Sequence, residues 1–175
     1  MIRLEQVTEE NAKDVLKLEV HAEQQLFVAD NRTSLHEAEL ALAHGGHAFP
    51  FCIYDDAVPV GFAMIGFGTD EEWKDPPAIA VENYNIWRLM IDRNHQGKGY
   101  GKKAMKLVME FICSMPCGEA SLCWLSYHPE NTAAKHLYAS FGFQETGETD
   151  GNEVIAVRVL QKKPSPLGEG GAAKP

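Results

Sequence analysis

The stretch Gln96-Gly97-Lys98-Gly99-Tyr100-Gly101-Lys102 has the composition of an anion cradle. Glycines lack a Cβ, so successive backbone N–H groups can turn toward one point. A helix starting just behind them adds unpaired N–H donors and partial positive charge. That combination suits a phosphate or pyrophosphate. Local charge agrees. Residues 92–106 hold Arg93, Lys98, Lys102, Lys103 and Lys106 against Asp92, a net +4, whereas the other 11 bases and 24 acids leave −13. Two familiar phosphate motifs are absent. No hydroxyl follows the lysines where GxxxxGK[ST] requires one. GxGxxG does not occur, and the loop lies in mid-chain rather than behind the first strand. A tight turn before a lysine-rich solvated helix would account for the glycines alone, but not for the charge reversal.

Two further groups could do chemistry. Asn131 opens a segment with Ala134, Leu137, Tyr138 and Phe141 on one helical face and Gly142 at its end. An asparagine there is a natural helix cap. A tyrosine there is a core residue or a hydroxyl proton donor. Between residues 18 and 40, Glu19, Glu23, Asp30, Glu37 and Glu39 stand against Arg32 as the one Lys or Arg. Spaced carboxylates of this kind hold a linear cation, or form a solvated helix face. Cys52, Cys113, Cys117 and Cys123 show no CxxC pair, no zinc spacing and no nucleophile setting, so no metal site is expected.

These groups need elements to place them. The pattern predicts a short strand over 2–7, a helix from Thr8 to about Val28, and a second helix from Ser34, capped with Glu37 three residues on and ending at Gly45-Gly46. A hairpin follows over 48–54 and 58–67, then a loop over 69–82 and a strand over 83–91. After the glycine loop a helix runs to Pro116, with Ala104, Leu107, Val108, Phe111 and Ile112 on one face. Strands are expected over 119–127 and 153–160, on either side of the Asn131 helix. Alternating helices and strands give one α/β domain over 1–161. Residues 162–175, rich in Pro, Gly and Ala, read as a disordered tail.

The chain has 175 residues, 45% hydrophobic and 23% charged, with a net charge of −9. An acidic surface argues against general nucleic-acid or anionic-membrane binding. The longest mostly apolar stretch, 58–67, is too short to span a bilayer, and the N-terminus carries no signal-peptide pattern. A cytoplasmic setting with free thiols is the expectation.

Gln96-x-x-Gly99-x-Gly101 after a strand, followed by Asn131-x-x-Ala134-x-x-x-Tyr138 and Gly142-Phe143, resembles the GCN5-related N-acetyltransferase superfamily. The resemblance implies a mixed, splayed central sheet flanked by helices. It also implies acetyl-CoA as cosubstrate. The backbone of Leu89, Met90 and Ile91 would meet its pantetheine arm and acetyl carbonyl, with N–H groups near Met90 and Ile91 stabilising the oxyanion. Gln96, Gly97, Lys98, Gly99, Tyr100, Gly101 and Lys102 would hold its pyrophosphate, and the Asn131 amide its pantetheine. Tyr138 would be the acid that protonates the departing thiolate. Glu82 and Glu130 are the acids nearest the cleft in sequence that could deprotonate the amine. Longer stretches (residues 24–35, 60–64 and 87–92) are similar to the bacterial spermine/spermidine (diamine) acetyltransferase branch. That similarity implies a small polyamine acceptor, with Glu23, Asp30 and Glu37 as acceptor-site candidates and Phe27, Tyr84 and Trp87 beside its methylene chain. Another amine acceptor (an aminoglycoside, an amino acid or a protein N-terminus) and a non-catalytic acyl-CoA sensor are the competing readings. Relatives that dimerise make a homodimer an expectation of the same kind.

Overall fold

The computed structural model describes residues 1–161, so the expected tail over 162–175 lies outside the described residues. One seven-stranded sheet organises the chain: β1 (Ile2–Gln6), β2 (His47–Asp55), β3 (Val58–Phe67), β4 (Tyr84–Ile91), β5 (Leu122–Tyr127), β6 (Gln144–Asp150) and β7 (Glu153–Val159), in the order β1-β2-β3-β4-β5-β7-β6. Four helices accompany it: α1 (Ala12–Val15), α2 (Asn31–Ala43), α3 (Tyr100–Cys113) and α4 (Thr132–Ser140). Every neighbouring pair is antiparallel except β4 and β5. A parallel pair needs a crossover, and α3 is that crossover. This is the mixed, helix-flanked α/β sheet expected from the sequence.

Two apolar layers sandwich the sheet. On one face Met105, Val108 and Ile112 of α3 and Tyr138 of α4 pack on Ile53, Ile65 and Leu125. On the other, Val15, Ala38 and Ala41 pack on Phe62, Met64 and Met90. Both layers follow from apolar residues at helical spacing meeting alternate strand residues.

Two features of the sheet create the cleft. First, β4 and β5 pair only through Tyr84↔Cys123 and Asn85↔Trp124, after which they diverge. Second, the β3–β4 register jumps from Met64↔Arg88 to Ile65↔Ile86, so Trp87 is an extra residue. This bulge turns both Trp87 and Arg88 toward α2. Trp87 packs on the α2-side core, and Arg88 reaches Glu37 of α2. Beyond the bulge, Asp92 N–H donates to Val60 O. Antiparallel ladders alternate, so Met90 also bonds to β3, while the N–H and C=O groups of Leu89 and Ile91 face the divergence.

The N-terminal third departs from the sequence pattern. The helix expected over 8–28 is a single turn, α1. The backbone groups that would have continued it find tertiary partners instead: Asn31 Nδ2 donates to Val15 O and Leu18 O, and Asp92 accepts from Glu19 N. Helix α2 starts at Asn31, not Ser34, because Asp30 Oδ1 accepts from Thr33 N and caps it. Strand β6 was not expected at all. It is exposed throughout and has no hydrophobic alternation to reveal it.

Candidate active site

A cavity of about 1060 Å³ runs along the divergence of β4 and β5, under residues 24–29 and past the glycine loop. Ligand pockets generally hold ~300–1,000 Å³, so this one has room for a large cosubstrate and an acceptor together. Leu89, Met90, Ile91, Gln96, Gly97, Gly99, Tyr100, Gly101, Asn131 and Tyr138 all line it. Lys98 and Lys102 do not line it; both are exposed, and Lys98 Nζ donates to Asn94 O.

The loop has the backbone that its glycines permit. Gly97 and Gly99 sit at φ +74° and +77°, and Gly99 is the N-cap of α3 without a side chain to cap it. The first N–H groups of α3 are therefore left open at the cavity wall. Gln96 Nε2 donates to Ile91 O at 3.0 Å and thereby folds the loop back on β4. Tyr100 points elsewhere: its hydroxyl donates to Asp55 at 2.6 Å and ties the start of α3 to the β2–β3 hairpin. An acyl-CoA fits these features: unpaired N–H groups for its phosphates, and free β4 backbone groups for its amide-bearing arm.

Asn131 caps α4 and faces the cavity at once. Its Oδ1 accepts from Ala134 N at 3.1 Å, while its Nδ2 donates to none of the described residues. The two roles proposed from sequence are thus compatible. Tyr138 is nearly buried, with the Tyr127 and Phe143 rings 5.7 and 6.1 Å away. Its hydroxyl bonds to none of the described residues. Burial, then the negative charge of Glu153, pushes its pKa well above the ordinary phenol value. The side chain therefore keeps its proton across the neutral range.

The acceptor side differs from the sequence-level expectation in its residues. Asp30 is the α2 cap, and Thr33 holds its carboxyl below the usual carboxylate range. Glu23 is exposed and does not line the cavity. Glu37 does line it, but in an ion pair at 2.8 Å with Arg88. Phe27 and Trp87 line the cavity, whereas Tyr84 is buried on the α3 side and bonded to Gly118 O. Glu82 and Glu130 are both exposed and off the cavity.

Its acidity comes instead from residues that sequence reasoning missed. Asp70 and Glu72 of the loop after β3, with Asp150 and Glu153 of the β6–β7 hairpin, line the same cavity. Glu153 Oε2 accepts from Ser126 Oγ at 2.6 Å. Trp73 stacks on Trp124 beside them, centroids 6.3 Å apart. Counting Glu37, five carboxylates and one guanidinium of the described residues face this space, and no described lysine does. The alternation of 153–160 was readable, but only the β5–β7 register shows where Glu153 lies. No group of His, Cys, Asp or Glu among the described residues could hold a metal ion.

Comparison with known proteins agrees with this site. The acetyltransferase (GNAT) family profile matches residues 12–143. The spermine/spermidine N(1)-acetyltransferase of Bacillus subtilis is 30% identical over 163 residues, covering 91% of this chain and 99% of that protein. An N-alpha-acetyltransferase of Mycobacterium tuberculosis is 26% identical over 128 residues, covering 71% and 70%. Among solved structures, aminoglycoside acetyltransferase AAC(6')-Ib in complex with coenzyme A superposes with a TM-score of 0.67 at 20% identity, over 91% of this chain and 95% of that one. A glycine cradle at the head of α3, the divergence of β4 and β5, and a family match across three quarters of the sequence together place the chain in the acetyltransferase (GNAT) family, as an acetyl-CoA-dependent N-acetyltransferase.

Proposed function

We propose that the acceptor is a small polyamine of the spermine/spermidine class, acetylated on a primary amine by direct attack on acetyl-CoA. The observation that carries this reading is the polarity of the cavity. One end presents N–H groups to an anion, and the other presents four carboxylates and, among the described residues, no lysine. A linear polycation is drawn to such a wall, and its methylenes suit the Phe27 and Trp87 surfaces. The likeness to the Bacillus spermine/spermidine enzyme supports the same class. Four free cysteines support a reducing, cytosolic setting.

In this reading each residue has a defined task. Bound acetyl-CoA supplies an activated thioester carbonyl. One β4 backbone N–H, from Leu89 or Ile91, faces that carbonyl and stabilises charge developing on its oxygen, and the other meets the pantetheine arm. Asn131 Nδ2 holds the pantetheine arm. A primary amine has a pKa near ~10.4 and must lose a proton before attack. Glu153, held by Ser126, is the cavity carboxylate placed to receive it. As the C–N bond forms and the C–S bond breaks, Tyr138 gives its proton to the leaving thiolate, and the second proton, shed by the acylated nitrogen, restores the phenol.

Glu153→Gln tests the electrostatic part. Removing one carboxylate from this wall is expected to raise KM for spermidine about tenfold, equivalent to ~1.4 kcal/mol, and, because the same carboxylate takes up the amine's proton, to lower kcat by about 10²-fold or more. KM for acetyl-CoA should stay within about twofold, because Glu153 bonds to Ser126 and not to the glycine loop. Steady-state rates of thiol release measure both. An unchanged spermidine KM would remove Glu153 from the acceptor site.

A further inference from the structure

Residues 16–30 wall the cavity on a narrow apolar footing, with Leu18 buried in the α2-side core and Val20 and Val28 packed against it. Leu26 is 85% exposed, and the only regular structure is a 3-10 turn over Ala22–Gln24. Even so, Val20 and residues 24–29 line the cavity. Between Val20 and Val28 the stretch takes its position largely from specific bonds.

Those bonds run to the cofactor loop. Glu19 N donates to the nearly buried Asp92 at 3.0 Å, and Arg93 N donates to Glu19 O at 2.8 Å. Further along, the side chains of Gln24 and Gln96 exchange hydrogen bonds: Gln96 Nε2 to Gln24 Oε1 at 2.8 Å, and Gln24 Nε2 to Gln96 Oε1 at 3.1 Å. Gln24 Oε1 also accepts from His21 N, which fixes the 3-10 turn. Gln96 Nε2 also donates to Ile91 O. Gln96 is the first residue of the anion loop, and Gln24 is the first of the continuous cavity wall 24–29. The far end of the wall has a separate support, the Phe27 ring on His128 at 5.5 Å.

We infer that Gln24 is a positioning residue that couples the two substrates. It makes the acceptor wall respond to the state of the cofactor loop. When phosphates order residues 96–101, Gln96 is fixed, and through the paired amides so is Gln24 with the wall behind it. Thermodynamic reciprocity then requires that a bound acceptor tighten the cofactor loop by the same factor. The coupling depends on acetyl-CoA as cosubstrate and not on which amine is the acceptor.

Amide hydrogen exchange with coenzyme A as the probe decides the point. In the wild-type chain, saturating coenzyme A is expected to slow exchange of amides 22–29 by about 5- to 150-fold, the usual range of intersite coupling. In Gln24→Ala that slowing is lost at 22–29 but kept at 97–101. Gln24→Glu keeps the bond accepted from Gln96, so it retains part of the slowing and controls for local unfolding. Equal slowing in wild type and Gln24→Ala, or none in wild type, overturns the inference. With spermidine as acceptor, Gln24→Ala should raise the amine KM while kcat and coenzyme A affinity stay within about twofold. Wild-type protein that ignores spermidine yet shows the exchange response would reject the polyamine reading and leave the coupling intact.

Discussion

Tyr138→Phe lowers kcat for acetyl transfer by about 10²- to 10⁴-fold, the span that a positioned acid supplies. The expectation rests on three properties of the side chain. It lines the cavity shared by the β4 backbone and the glycine loop. Its hydroxyl bonds to none of the described residues, so the group is available to a ligand. Burial and the Glu153 charge keep the phenol protonated at neutral pH, so it is present as a donor. A thiol has a pKa near ~8.5, below that of the buried phenol, so transfer to sulfur is uphill by itself; the phenol donates to sulfur as negative charge grows there, and the proton shed by the acylated nitrogen makes up the balance. Phenylalanine keeps the ring and its contacts with Tyr127 and Phe143. The loss should therefore appear in kcat, with the coenzyme A dissociation constant changed by less than about twofold. Parallel calorimetry and single-turnover rates make the comparison. Full turnover in the variant would show that Tyr138 is a core residue and nothing more.

Gly99→Ala should weaken acetyl-CoA binding by about 5- to 30-fold. Gly99 sits at φ +77° with nothing within 4 Å of the position its Cβ would take. A methyl group there meets no atom, so the effect is purely conformational. The left-handed region costs an L-residue ~1–2 kcal/mol. The free loop can relax out of that conformation, whereas a loop holding phosphate cannot, so the strain appears in binding. Gly147→Ala is the control. It imposes similar backbone strain at φ +86° in the exposed β6 and lies away from the cavity. It should lower stability without changing acetyl-CoA affinity. Thermal unfolding and acetyl-CoA KM separate the two variants.

What the sequence disclosed was whatever is encoded locally. Gly97 and Gly99 hold positive φ, and the charge reversal of 92–106 sits beside them, so the anion loop was visible without a fold. Asn131 and Tyr138 were paired by the family motif that they match, while periodicity alone read them as a helix cap and a core tyrosine. What stayed hidden depends on distant partners. The apolar spacing of 12–26 promised a long helix, but Asn31 and Asp92 take the hydrogen bonds that would have extended it. Glu37 belonged to a promising acidic run, yet the bulge at Trp87 turns Arg88 onto it. Asp70 and Glu153 are 83 positions apart in sequence and meet at one cavity only because the sheet order sets the hairpin β6–β7 beside β5. No window on the sequence contains that juxtaposition.

The most direct test is the initial rate of thiol release from acetyl-CoA with a panel of amines: spermine, spermidine, putrescine, kanamycin and an N-terminal peptide. The cavity's carboxylates predict that spermine or spermidine gives a kcat/KM at least about tenfold above kanamycin and the peptide. Mass spectrometry of the product should then show a single acetyl group on a primary nitrogen. Turnover of kanamycin or the peptide, with polyamines giving no release above the amine-free rate, would contradict the assignment.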